Sequence, residues 1–577
     1  MKGFYGKILR VDLTGGRYAT EEIPEDVLRG YLGGKGLGSY LLLHNVAAGV
    51  DPLGPDNKLI FTTGAATDTA MVGSSRYGVY SRSPLTGGYA ESYSGGRVAP
   101  LMRRTGYDAI IIQGASEQPV FLEISEGRVR FHDASSLWGM DTYAAEEAAL
   151  EKVGVAGAQA VVIGPAGENL VRFACIENNR WRSAGRTGLG AVMGAKKLKA
   201  VVFHGNARAE AADPGLLKDV VGRIRAAGKD NPGVQNYRTY GTTVMVRIMN
   251  GAKAFPSRYW NRGVAPDWEN LSGDALLRQH TVKPSACPNC FMACGQHTVI
   301  SSGEYAGLEM EGPEYETIYA FGGLCSINRL DRVTYLNDLC DRLGLDTITT
   351  GNLVGLVMEG VERGLIDAPV RYGNMDAVVK LVWQIAERKG LGEILSLGIK
   401  EAAARLNLEE LAIHVKGMEP PGYDPRVLKG MGLAYATSAR GACHLRSTFY
   451  KPELAGMIDP SAIEGKAELF LDFENRLTIL NTQILCVFFR DLIPWEILVD
   501  LNRALTGHHY TKDELWAAAN RIIDANRQFN LGQGLSRDDD TLPDRLFGEK
   551  INDGQNGITL VELNKMVDDY YRLRGWT

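Results

Sequence analysis

The chain has 577 residues, more than one hydrophobic core normally supports, so two or three domains are expected. Its 45% apolar and 23% charged residues are those of an ordinary soluble globular protein. A formal net charge of -5 gives no electrostatic case for nucleic acid or an anionic membrane, and no apolar run approaches the ~20 residues that span a bilayer.

The N-terminus, Met1 to Val11, alternates apolar and polar residues like a first strand. It has neither an apolar signal core nor a twin-arginine sequence, so a cytoplasmic location is expected. Residues 1–210 are rich in glycine and short β-branched runs. Segments 8–13, 58–62, 109–113 and 200–204 read as strands between turn residues. Gly33–Gly38, Gly73–Arg76 and Ser94–Arg97 read as loops where a backbone approaches a ligand closely.

A second glycine-rich stretch runs from Arg180 to Gly194. Its glycines let amide N–H groups close on an anion, and Arg182 and Arg186 add charge-assisted contacts to phosphates. It does not follow the first strand of a βαβ unit, so it is not a dinucleotide fingerprint. Phosphate cradle and tight structural turn stay equally open at this point.

After residue 210 the chain turns mainly helical. Residues 211–417 form an expected second domain, with three- and four-residue apolar spacing over 214–228, 328–343, 376–389 and 391–405. The turn-rich stretch from Met418 to Pro425 opens an expected third domain, 418–577, with helices over 461–489, 494–505 and 512–528.

The chemistry centres on Cys287-x-x-Cys290-x-x-x-Cys294, three of eight cysteines. Thiolates at this spacing converge on one centre from a tight turn, and with one distant partner they suit a [4Fe–4S] cluster. Zinc would more naturally have a second CxxC or an HxxxH, although His297 keeps it in play. The remaining five cysteines leave the fourth ligand open. Cys486 has one argument in its favour, because Asp341 to Asp346 and Asn481 to Cys486 share a polar-x-x-x-Leu-ligand spacing, each at an expected helix end. Two side chains can carry protons. Glu316 ends an acidic run into an apolar helix, where it either favours the helix dipole or, if buried, acts as a general base. His444 lies between small residues in Arg440-Gly-Ala-Cys-His444, as a structural or a catalytic histidine.

Together these segments resemble the aldehyde ferredoxin oxidoreductase family of tungsten enzymes. The likeness runs from Gly6–Leu13 and Gly33–Gly38 through Ser75-Arg76, Ser81–Gly87, the 182–194 loop, the cysteine motif, Gly312–Glu316, Asp341–Asp346 and Arg440–His444 to Gly534–Pro543. It implies an α+β fold: a β-rich N-terminal domain of two sheets, then two mainly α-helical domains enclosing a buried tungsten bis-pterin cofactor (tungstopterin). Arg76, Tyr93, Gly95, Gly96, Arg182, Ser183, Gly185, Arg186 and Arg440 match positions at the pterins and their phosphates, with a Mg²⁺ joining the phosphates. Asp341, Leu345 and Asp346 match one pterin motif, and Asn481, Leu485 and Val487 the other. Cys486 then becomes the fourth ligand of the cluster.

The sequence departs from the family pattern at three positions. Asn481 replaces an aspartate, Ile484 stands where some members have glycine, and Tyr93 stands where others have asparagine, leaving a Mg²⁺ contact there to its carbonyl. The resemblance implies oxidation of an aldehyde to a carboxylic acid, with Glu316 as base and His444 bonded to the carbonyl oxygen. Electrons would leave through the [4Fe–4S] cluster to ferredoxin or a separate iron–sulfur or flavin subunit, and an oligomer is expected. No protein ligand to tungsten is needed; if one existed, Cys443 would be the candidate. Two alternatives are a branch that reduces aromatic acyl-CoA esters and a non-catalytic electron-transfer subunit.

Overall fold

The computed structural model describes residues 1–576. Two six-stranded sheets form the N-terminal region. In the first, β1 (Lys7–Asp12), β2 (Arg17–Glu22), β3 (Leu59–Thr62), β4 (Tyr77–Arg82), β5 (Tyr89–Ser94) and β6 (Ala109–Gln113) take the order β2-β1-β6-β3-β4-β5. In the second, β7 (Val120–Ser125), β8 (Arg128–Asp133), β9 (Gln159–Val162), β10 (Ile176–Asn178), β11 (Arg182–Ala184) and β12 (Leu198–Phe203) repeat that order with every strand shifted by six. Even the pairings match: β1 with β6 and β7 with β12 are parallel, and the other neighbours are antiparallel. The region is therefore one topology built twice.

Alternation along the strands explains how the two halves pack. Leu9, Val11, Ile110 and Ile112 of the first sheet share a core with Leu122, Ile124, Val201 and Phe203 of the second. Their neighbours face outward. Ile8, Ile60 and Ile111 pack on helix α1 (Gly34–Asn45) and on C-terminal apolar residues such as Leu477 and Leu498. Phe121, Ala200 and Val202 pack on Ala145 and Ala149.

Gly33–Gly38, expected as a ligand-binding loop, is instead the start of α1. A Cβ on Gly36 would strike the Tyr31 carbonyl of the preceding helix and one on Gly38 the Tyr80 ring, so these glycines let α1 lie close to that helix and flush against β4. The other two expected loops, at Gly73–Arg76 and Ser94–Arg97, lie beside the cavities described below.

The expected helices form with shifted ends, at Pro214–Lys229, α2 (Leu330–Leu343), Met375–Glu387, α4 (Lys466–Thr482), Trp495–Thr506 and Lys512–Gly532, and α3 (Thr347–Glu362) joins them. The 391–405 stretch divides into Leu391–Leu395 and Ile399–Leu406, because Gly398 at φ +83° interrupts it. The 461–489 stretch ends at Thr482, just before Ile484 turns left-handed at φ 47°.

One apolar core unites residues from Val244 to Tyr571, so the two helical regions share their interior. The α2 residues Leu339 and Leu343 belong with Phe173 and Ala191 of the second sheet's half, and the α4 residues Leu477 and Leu480 with the first sheet. Each copy of the β topology thus carries one helix of the motif pair.

Sequence reasoning missed a small antiparallel sheet, β13 (Thr281–Ser285), β14 (Gly295–Val299) and β15 (Glu309–Glu311). The cysteine motif is the loop between β13 and β14.

Candidate active site

The two echoing segments fold alike. At the end of α2, the amides of Gly344 and Leu345 return to the carbonyls of Asp341 and Cys340, at 3.2 and 2.9 Å. At the end of α4, those of Ile484 and Leu485 return to Asn481 and Leu480, at 3.1 and 3.3 Å. Position by position, Asp341 corresponds to Asn481, Gly344 to Ile484 and Asp346 to Cys486. Gly164 after β9 and Gly64 after β3 admit the two turns, since a Cβ on either would meet the carbonyls of Leu343 or Gln483.

Between these turns lies a cavity of about 320 Å³. All four thiols, Cys287, Cys290, Cys294 and Cys486, line it, together with Arg76, Tyr93, Gly95, Arg182, Ser183, Gly185, Asp341, Leu345, Asp346 and Glu316. Burial and then the neighbouring Cys486 push the Cys290 thiol up to about 11, and the same two causes raise Cys294 well above the usual thiol range. Cys486 is held by its amide, which donates to the Gly73 carbonyl at 2.9 Å. A Cβ on Gly95 would come within 3.2 Å of the Cys287 sulfur, so a larger residue here would press on the thiol. His297, the residue that kept zinc in play, bonds Glu309 at 2.6 Å and does not border the cavity.

A second cavity of about 210 Å³ shares Arg76, Tyr93, Ser183, Gly185 and Ile348 with the first. Its further lining includes Arg186, Arg440, Cys443, His444, Asn481, Leu485 and Val487. Of the expected cofactor residues only Gly96 borders neither space. Its carbonyl accepts from the Ser75 hydroxyl at 2.6 Å and its amide faces the Cys287 sulfur at 3.4 Å, so it shapes the wall from behind.

The arginines divide into committed and uncommitted groups. Arg186 bonds Asp346 at 3.1 Å and the carbonyls of Ala442 and Glu419 at 3.2 and 2.7 Å, clamping the two helical regions onto the second sheet. Arg182 pairs with Glu311. Arg76 donates to the Tyr93 carbonyl at 3.1 Å, the oxygen that the resemblance offers to Mg²⁺. Arg440 is 4% exposed, yet no hydrogen bond or ion pair reaches its guanidinium among the described residues, and burial pulls its pKa down. A buried cation without an acceptor is costly, so this side chain fits an anionic group entering the second cavity.

Glu316 and His444 meet where the two spaces adjoin, with Nε2 of the histidine 3.6 Å from Oε1 of the glutamate. Glu316 sits at the start of a helical turn, Tyr315–Thr317, that widens into π geometry over Ile318–Leu324. Burial pushes its carboxyl up to about 8, against the opposing Gly422 amide that donates to Oε2 at 3.0 Å. Burial, then Arg186, Arg440 and Arg446, holds His444 well below the usual histidine range, so its imidazole is neutral. The ring stacks on Tyr423, centroids 5.4 Å apart, and its Nδ1 has no partner among the described residues. A carboxyl that carries a proton near neutrality thus faces a neutral imidazole, an arrangement suited to proton transfer. Cys443, beside it, is held below the usual thiol range: burial opposes this, but Arg440 and Arg446 outweigh it.

Sequence reasoning missed Glu314, Glu311, Cys175 and Trp181 in the first cavity. Glu311 and Glu314 were visible within the acidic run, but nothing marked which of its carboxylates turn inward. Among the described residues no helix is long and apolar enough to cross a membrane.

Comparison with known proteins gives a consistent result. The family description "Aldehyde ferredoxin oxidoreductase, N-terminal domain" matches residues 8–205, and "Aldehyde ferredoxin oxidoreductase, domains 2 & 3" matches residues 219–577. The chain is 38% identical to a tungsten-containing aldehyde ferredoxin oxidoreductase of Pyrococcus abyssi, covering 100% of this chain and 97% of the relative. It is 30% identical to the WOR-like subunit of an aliphatic sulfonate oxidoreductase of Pyrococcus furiosus, covering 83% of each. Among solved structures, the active site complex BamBC of benzoyl coenzyme A reductase, in complex with 1,5-dienoyl-CoA, superimposes with a TM-score of 0.86 over 100% of this chain and 95% of that one. At 23% identity that likeness establishes the shared fold.

Proposed function

Since the chain belongs to the aldehyde ferredoxin oxidoreductase family, we propose that it oxidises an aldehyde, with water, to a carboxylic acid, releasing two protons and two electrons. The observation that carries this reading is the pair Glu316 and His444, set where a thiol-lined cavity adjoins a cation-lined one. The residues fit the cofactors that the family implies. Cys287, Cys290, Cys294 and Cys486 would hold a [4Fe–4S] cluster. Arg76, Arg182, Ser183, Gly185 and Arg440, with the Asp341–Asp346 and Asn481–Val487 turns, would hold a tungsten bis-pterin, whose phosphates a Mg²⁺ would join. When bound, that cofactor supplies the two-electron acceptor.

The chain's own part is proton control and positioning. Ionised Glu316 takes a proton from the attacking water, or from the aldehyde hydrate, at Oε1. Neutral His444 donates a hydrogen bond to the substrate oxygen and orients the carbonyl. Tyr423 fixes the imidazole plane, and the buried walls keep bulk water from the transfer. Electrons would leave by the thiol-bound cluster to a ferredoxin or a separate electron-transfer subunit; the names of two similar proteins, one a subunit and one a complex, support a partner subunit. A cytoplasmic, oligomeric enzyme completes the proposal.

The test is elemental analysis of anaerobically purified protein, followed by aldehyde-dependent viologen reduction. About one tungsten and four irons per chain, with turnover on aldehydes, is the expected result. Four irons without tungsten or molybdenum would leave an electron carrier, and one zinc without iron would overturn the reading at Cys287–Cys294. The likeness to BamBC favours one further assay, an aromatic acyl-CoA ester as oxidant.

A further inference from the structure

The cysteine loop reaches the surface at Pro288 and Asn289, both exposed. There it borders an open groove of about 320 Å³ lined also by Asp68, Ser74, Ser75, Arg97, Pro100, Leu101, Arg104, Gly157 and Gln159. Ser75 lines both this groove and the inner cavity, so the two spaces share a wall. The loop is braced, because Asn289 Nδ2 donates to the Thr69 carbonyl at 3.2 Å and Gly96 N lies 3.4 Å from the Cys287 sulfur.

The charges around the groove are unequal. Asp68 is the single acidic residue lining it, and it is shared by Arg104, at 2.8 Å, and Arg208. Arg97, exposed at the head of the helix Val98–Arg103, has no side-chain bond or ion pair among the described residues. Three guanidinium groups therefore stand beside one carboxylate, which pairs with two of them, in a molecule whose total charge is -5. Pro100, Leu101 and Pro288 add apolar surface beside Arg97 and Arg104 in the same groove. Redox encounters have this character: small contacts, below about 1,200 Å², steered by charge rather than held by area.

We propose that this groove is the docking face for a small acidic iron–sulfur electron carrier, whose negative rim meets Arg97, Arg104 and Arg208 while its cluster edge lies over Pro288 and Asn289. The inference rests on the proposed function, and it adds where the carrier sits and what recognises it.

The experiment uses the full chain and a purified acidic [4Fe–4S] ferredoxin. Arg97→Glu, Arg208→Glu and the milder Arg97→Gln are compared with Lys380→Glu, on the helix Met375–Glu387, which lines neither cavity nor groove. Viologen turnover should be unchanged in all four. The two charge reversals should raise the Kd for ferredoxin, measured by calorimetry without turnover, and the KM for ferredoxin by about tenfold or more at low salt. Arg97→Gln should have a smaller effect, and Lys380→Glu none. Ferredoxin Kd and KM unmoved by the groove variants, or moved equally by Lys380→Glu, would overturn the docking face. Absence of aldehyde-dependent viologen turnover in the unmodified protein would instead count against the functional reading.

Discussion

Nε2 of His444 stands 3.6 Å from Oε1 of Glu316, and burial leaves both groups uncharged by moving their pKa values in opposite directions. Burial lifts the carboxyl to about 8, while burial and a ring of arginines lower the imidazole. At neutral pH the proton between them sits on the glutamate.

A base must first lose that proton, so kcat/KM for aldehyde should climb with pH and level off above about 8, the value set for Glu316 by its surroundings. Glu316→Gln should lower kcat by roughly 10²- to 10⁴-fold and abolish the rising limb. A pH profile with viologen as acceptor checks both, and a limb that survives in the glutamine variant rules Glu316 out as the base. Stability should run the other way. The folded chain keeps a proton that the unfolded chain has lost, so this contribution is complete below the ordinary carboxylate range and disappears as pH rises through about 8.

His444 acts through a hydrogen bond from a neutral ring. His444→Gln keeps an N–H donor and should retain more activity than His444→Ala, which should fall by roughly 10²-fold. Neither should add or remove a limb in the usual histidine range, because burial and the surrounding arginines hold the ring well below it. A limb that falls with rising pH in the parent and is lost on substitution would mean that the imidazolium is the working form.

Much of this site was legible because its parts are contiguous in sequence. The cysteine triplet, the acidic run and the two helix-end turns each lie within eight residues. The matched spacing of Asp341–Asp346 and Asn481–Cys486 anticipated the same backbone turn in both. What was not legible depended on distant partners. Arg182 and Arg186 looked alike in their loop, yet Glu311, Asp346 and Glu419 engage them while Arg440, over 250 residues away, is left uncommitted. The duplicated β topology was hidden for a related reason. Strands β10 and β11 are three residues long, too short for any alternation to register, and the repeat resides in the order of pairing rather than in residue types. Gly33–Gly38 misled because close approach of a helix to a sheet needs the same small residue as close approach of a ligand.

Arg440 gives a prediction whose sign depends on loading. In cofactor-free protein, Arg440→Met removes a buried cation that lacks an acceptor, which should stabilise the fold by about 1–3 kcal/mol. In protein expressed with tungstate, the same change should reduce tungsten per chain and lower Tm relative to the loaded parent. Denaturant melts of both forms, with metal analysis, separate the two effects. Destabilisation of the empty form would mean that Arg440 is a packing residue.

Ile484 sets two effects against each other. Its φ of 47° places a β-branched residue in the left-handed region, where its counterpart Gly344 is at home, at a cost of about 1–2 kcal/mol. Against this, the side chain is only 1% exposed, and stripping a buried isoleucine to alanine typically costs about 2–5 kcal/mol. Burial is the larger effect, so Ile484→Gly should destabilise the protein by roughly 1–3 kcal/mol despite relieving the backbone. The turn itself should survive, because glycine accepts the conformation and the returning amide bonds to Asn481 and Leu480 need no side chain. Iron and tungsten content should therefore stay near parent levels while the denaturation midpoint falls. A rise in that midpoint would show that backbone strain outweighs packing, and that this turn keeps isoleucine against the interest of stability.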